Sequence, residues 1–194
     1  MPSDSVQAVV LCEDLQSWVF IYRLLIDMKF ERRRIRCIPF PSDGQGSGEQ
    51  FVRTRYPTEL SAFRTQAARA RTVLVVHTDA DYLSVSERLR CLEQERERLN
   101  AEGRSRGGKN EIASRGPKEA VAILVPKWNI ETWIHCLLDG VPVDEDLHYP
   151  RYRGEEYRAW GPAKRFAEAV LRDSTPAYAP PSMIAGIAEA KRLL

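Results

Sequence analysis

The chain has no apolar run approaching the roughly 18 residues a membrane-spanning helix needs, and no basic-then-apolar signal pattern at its start. Both absences predict a soluble, cytoplasmic protein with no membrane partner. Cysteine is sparse: Cys12, Cys37, Cys91 and Cys136 are scattered, with no C-x-x-C pair. That spacing argues against a disulfide or zinc framework and for reduced, packed thiols. There is no internal repeat. The glycine-rich stretch "SDGQGSG" (42–48) lacks the G-x-x-x-x-G-K-[ST] spacing and any lysine. Its amides can cradle a phosphate, but they do not make an ATP-binding P-loop. Strong charge of one sign is missing too, the formal net charge being +2. The chain as a whole is no polycation.

What is present is a sizeable core in one domain: 194 residues, 43% of them hydrophobic. Short apolar runs alternate with helical periodicity. "QAVVLC" (7–12), "RIRCIPF" (34–40), "TVLVVHTDAD" (72–81) and "AVAILV" (120–125) read as strands. Helices are predicted over about 15–29, from about 50 to 70 with Pro57 as a break or restart, and over 84–103. Further helices are predicted over 129–140, near 162–172 and from Ser182 to Leu194. The 84–103 helix should be capped by Ser84 or Ser86 and stopped by Gly103. Such alternation, with near-continuous apolar strands, predicts an α/β fold: a mainly parallel sheet of about four strands with helices on both faces. A charged helix and basic loop at about 84–118, and a helical extension at about 141–194, would be additions to it.

In sheets of this kind the site lies outside the carboxyl ends of the strands. Glu13, Asp79 with Asp81, and Glu131 each follow a predicted strand, so all should gather at one edge. Alternation along an extended strand predicts that Asp79 and Asp81 point to the same side, where like charges repel. A hard divalent cation such as Mg²⁺ would offset that repulsion, shared with Glu13. Other sources of relief are a basic neighbour or solvation at the strand end. Glu131 lies in the first turn of its helix, where the dipole alone favours a carboxylate. His77 reads as a satisfied core histidine, and His135 as a packing or hydrogen-bonding residue. Lys127, just past the fourth strand, is placed either to neutralise a phosphate or simply to face solvent.

The strand ending in glutamate ("VVLCED", 9–14) followed by the strand ending in D-x-D ("VVHTDAD", 75–81) resembles the Toprim domain of topoisomerases, primases and OLD-type nucleases. "LVPKWNIETW" (124–133) is similar to the I-E-x-W segment of small stand-alone Toprim-like proteins of bacterial defence islands. The resemblance covers about residues 7–139. It implies a Toprim/Rossmann-like fold, Glu13, Asp79 and Asp81 as ligands of Mg²⁺ or Mn²⁺, and Glu131 as a fourth acid. It also implies an antiviral defence setting and a partner ATPase. Asp14 stands where the family's first motif has glycine, so Asp14 is itself a candidate ligand or outer-sphere group.

Local charge completes the expectation. "GRSRGGKNEIASRGPK" (103–118) carries Arg104, Arg106, Lys109, Arg115 and Lys118 against the single acid Glu111. "ERRRIR" (31–36) and Arg53, Arg55, Arg64 and Arg69 add more. Basic loops of this kind clamp a nucleic-acid backbone through counterion release, or are ordinary solvated surface. The leading expectation is therefore a metal-dependent nuclease of DNA or RNA, with Glu13, Asp79, Asp81, Glu131 and Lys127 in the catalytic set. The alternative is a catalytically silent regulatory subunit of an ATPase complex. A phosphate-receiving regulatory domain and a sugar-nucleotide transferase rank below both. Homo-oligomerisation stays open.

Overall fold

The structure, a computed structural model, describes residues 6–41, 47–108 and 111–194. Part of the glycine-rich loop, and Lys109, lie outside the described residues. Strands β1 (Ala8–Leu11), β2 (Ile35–Cys37), β3 (Val73–His77) and β4 (Val121–Leu124) form one parallel sheet in the order β2-β1-β3-β4. β1 pairs in register with both neighbours, Val10 standing beside Cys37 and beside Val75. The order reverses direction between β1 and β3, and there the carboxyl ends open a crevice. The predicted α/β fold is the observed one.

Helices cover both faces because alternate strand residues point to opposite sides. Val10, Val75 and Leu124 face a layer made by α1 (Leu15–Asp27), α4 (Ile130–Asp139), α5 (Trp160–Leu171) and α6 (Pro181–Ala190). Val9, Leu11, Val76 and Ile123 face α2 (Gly48–Ala67) and α3 (Val85–Ser105). Helix α2 runs through Pro57 without the expected break. Its buried stripe of Val52, Tyr56, Leu60 and Phe63 spans the proline, and that packing holds the helix together across the missing N–H. Helix α3 starts on a Ser84–Glu87 capping box and passes Gly103 to end at Ser105. Helix α4 ends on Gly140, whose φ of 69° is the left-handed cap that glycine allows.

The C-terminal helices belong to the same core. Phe166 on α5 stacks on Trp133 of α4, with ring centroids 5.4 Å apart, and the Trp133 indole N–H donates to Ser182 Oγ at 2.8 Å. Gly186 on α6 lets this ring approach: a Cβ there would sit 2.3 Å from Trp133 Cη2. Gly186→Ala is therefore expected to destabilise by about 1–3 kcal/mol through overpacking, outweighing the roughly 1 kcal/mol that alanine gains in a helix. An unchanged or raised urea midpoint would contradict this. Among the described residues no helix is long and apolar enough to cross a membrane.

Candidate functional site

The acidic residues meet at the crevice between β1 and β3. Along β3, alternate N–H groups point toward β4 and toward β1, and this rhythm outlasts the strand. Thr78 N donates to Leu124 O at 3.2 Å and Ala80 N to Pro126 O at 2.9 Å. Between them, Asp79 N donates at 2.9 Å to the Glu13 carboxylate, which stands where β1 would next offer a carbonyl. The Thr78 hydroxyl donates to the same oxygen. Glu13 is thus fixed from β3. On its other side the N-terminus of α2 comes close: a Cβ on Gly48 would lie 2.8 Å from Glu13 Cβ. Only glycine admits that approach.

Asp79 and Asp81 do not share an environment as alternation predicts. Asp81 has φ 53°, a left-handed conformation that ends the extended run. Asp79 is buried, and its Oδ1 has no hydrogen-bond partner among the described residues. Asp81 is half-exposed and held by Arg88 of α3 at 3.2 Å. Arg88 also pairs with Glu49 at the start of α2. A basic neighbour, one of the sources of relief foreseen from the sequence, therefore serves Asp81, whereas among the described residues no lysine or arginine forms an ion pair with Asp79.

Burial dominates the electrostatics. It pushes the Glu13 carboxyl from 4.5 up to about 7, against the lowering by its bonds from Thr78 and Asp79 N. Asp79 is raised well above the usual range, first by burial and then by the fields of Glu13, Asp14 and Glu131. Glu131, buried in the first turn of α4, is pushed up to about 7, again mainly by burial, and its Oε1 is unpartnered among the described residues. His77 is buried as expected, but it is not satisfied: neither ring nitrogen has a partner among the described residues. Its nearest carboxylate oxygen, on Asp79, is 3.7 Å away, beyond a hydrogen bond. Burial holds it neutral, with a pKa near 4.

Asp14 has a structural task. It caps α1, accepting from Ser17 N at 2.9 Å and Ser17 Oγ at 2.7 Å. Arg151, which nothing in the sequence pattern marks, comes to 3.6 Å of Asp14, and although its own burial lowers its pKa, the fields of Asp14, Glu131, Asp79 and Glu13 together raise it. Two residues before Arg151, Tyr149 O accepts from Asn129, ahead of α4, at 3.0 Å, which anchors the returning chain. His135 is bonded to Tyr152 Oη at 2.8 Å and flanked by the Tyr149 and Tyr152 rings, a packing role. Lys127 donates to Leu83 O at 3.1 Å, tying the loop after β4 to the loop after β3.

The basic loop is not brought to this edge. It precedes β4, so it lies at the amino end of the sheet, opposite the carboxylates. Arg115 bonds Val121 O at 2.9 Å and pairs with Glu189 of α6, and Arg104 pairs with Glu111. Arg106 and Lys118 are exposed there.

The donors at the crevice are hard oxygens, suited to Mg²⁺ or Mn²⁺. Among the described residues no three His, Cys, Asp or Glu side chains stand close enough to hold one ion. Mg²⁺ asks less than that, since it commonly takes one or two carboxylates and completes its shell with water and phosphate. The unpartnered Asp79 oxygen beside Glu13 fits such a demand. Searches against known families, curated proteins and solved structures found no match to this chain.

Proposed function

We propose that the chain is a Toprim-like, Mg²⁺- or Mn²⁺-dependent nuclease acting at the β1–β3 crevice. The observation that carries this reading is the buried Asp79 carboxyl, whose Oδ1 has no hydrogen-bond partner among the described residues and which sits in the fields of Glu13, Asp14, Glu131 and Asp81. Folding so many carboxylates together costs stability, and a bound cation would recover it. Asp79 and Glu13 would hold the ion, with Asp81 on the loop that follows. The ion would neutralise phosphate charge and favour hydroxide from a bound water. Thr78 and Asp79 N keep Glu13 aimed into the crevice. Glu131, with a pKa near 7, is suited to exchange a proton at working pH. Arg151 can steady a phosphate that the carboxylates would otherwise repel.

The test uses purified protein and single- and double-stranded DNA and RNA with Mg²⁺, Mn²⁺ or chelator. Cleavage by the wild type, abolished by chelator and by Asp79→Ala/Asp81→Ala, is expected. Cleavage retained in the double variant would overturn the assignment. Silence of both proteins under every metal would transfer it to a non-catalytic subunit of an ATPase complex.

A further inference from the structure

The acidic edge carries an aromatic step that the hydrolytic chemistry does not use. Tyr82 follows Asp81 directly and is 89% exposed, the most exposed of the large hydrophobic residues described. Its ring is not loose. It meets Trp128 edge-to-face with centroids 4.8 Å apart and planes at 78°, and Trp128 meets His148 in the same way at 6.1 Å. The left-handed Asp81 and the turn closed by Leu83 N on Ala80 O, at 3.0 Å, hold the backbone at Tyr82. Lys127 braces the step by bonding Leu83 O while its ammonium lies 5.8 Å from the Trp128 ring. The Trp128 indole N–H is buried with no acceptor among the described residues.

A tyrosine 89% exposed loses side-chain freedom when it is braced this way, and gains little burial in return. What it offers is a rigid π-face of about the size of one nucleobase, next to the residue that ends the D-x-D pair. That area is far below what a protein interface needs. A base inside a duplex is already stacked and paired, whereas a base in a single strand is free to lie on the ring. The main basic loop lies at the other end of the sheet, so backbone clamping there cannot set the substrate at this edge.

The geometry points to single-stranded nucleic acid as the substrate of the crevice, positioned by stacking of an unpaired base on Tyr82, with Trp128 as the support of that ring. This rests on the proposed hydrolytic reading for the chemistry that follows, but the binding step is independent of it.

Binding is read in chelator, where nothing is cut, by fluorescence anisotropy of labelled 12-residue oligonucleotides. Three probes are compared with wild type, Tyr82→Ala and Tyr82→Phe: a single strand, its duplex, and an abasic strand of equal length. The wild type is expected to favour the single strand over both other probes. Tyr82→Ala should weaken single-strand binding about tenfold and leave the abasic probe unaffected, while Tyr82→Phe keeps the preference. Equal affinity for abasic and base-bearing strands, no binding by the wild type, or no loss in Tyr82→Ala would overturn the inference. Cleavage in Mg²⁺ or Mn²⁺ is scored separately on the same proteins. A base-dependent binder that cuts nothing would fail the hydrolytic reading alone, and a nuclease indifferent to Tyr82 would fail the stacking step alone.

Discussion

Asp79→Asn is expected to raise thermal stability while lowering metal-dependent cleavage at least about a hundredfold. Both effects come from the same atom pair. The carboxylate is buried, one of its oxygens has no hydrogen-bond partner among the described residues, and Glu13, Asp14, Glu131 and Asp81 all disfavour its charge. Asparagine nearly matches its shape, keeps an oxygen in place and removes the ionisable group. Relief of a buried, uncompensated charge is worth about 1–3 kcal/mol. For a chain of this size that is a rise of several degrees in melting temperature. The comparison is made in chelator at pH 8, because a bound cation would itself stabilise the wild type. Residues that only support a fold lose stability when altered. A fall in both melting temperature and activity would make Asp79 structural, and full activity would remove it from the chemistry.

The second expected result is an inverted pH dependence. In chelator the protein should become more stable as pH falls from 8 to about 5.5. A carboxyl whose folded pKa exceeds its unfolded value keeps its proton longer in the folded state. Its contribution is then full below the unfolded pKa and is lost as pH rises through the folded one. Glu13 and Glu131, each raised from 4.5 to about 7, act in that sense between about pH 4.5 and 7. Asp79 adds to them in the same direction. His77 opposes: its pKa is lowered from 6.5 to about 4, so its cost grows as pH drops below 6.5. Burial also lowers His135, which opposes in the same sense, but two glutamates and an aspartate outweigh the two histidines, leaving a net gain on the order of 2 kcal/mol by pH 5.5. Glu95, Glu119 and Glu189, whose pKa values are depressed by arginine partners, reverse the trend only in stronger acid. Urea midpoints in chelator at pH 8, 7, 6.5 and 5.5 measure this. A midpoint that falls throughout that range would mean the carboxylates are not buried as described. Mg²⁺ should flatten the curve by favouring the ionised forms at pH 8.

Much of this was legible in the sequence because it is governed by local rules. The apolar runs at 7–12, 72–77 and 120–125 could only be buried strands, and their alternation with helical stretches dictated a parallel sheet. From that alone, residues following the strands had to collect at one edge, and Glu13, Asp79 and Glu131 did. The capping box at Ser84 and the glycine stop at Gly140 were likewise readable, each depending on a few adjacent residues. Tertiary structure decided what depends on residues far apart in the chain. Pro57 stays inside a helix because the sheet holds both halves of its stripe. The backbone at Asp81 turns left-handed and separates a pair that alternation would have kept together. Arg151 reaches the carboxylates on a stretch of returning chain that Asn129 holds at Tyr149, twenty residues later. The basic loop looked like part of the site by composition, yet it precedes β4 rather than following it. In a parallel sheet that single fact of direction sends it to the opposite end of the molecule. Charge and residue type are written in sequence, but which end of a strand a loop occupies, and what is left unpaired there, is fixed only when the strands align.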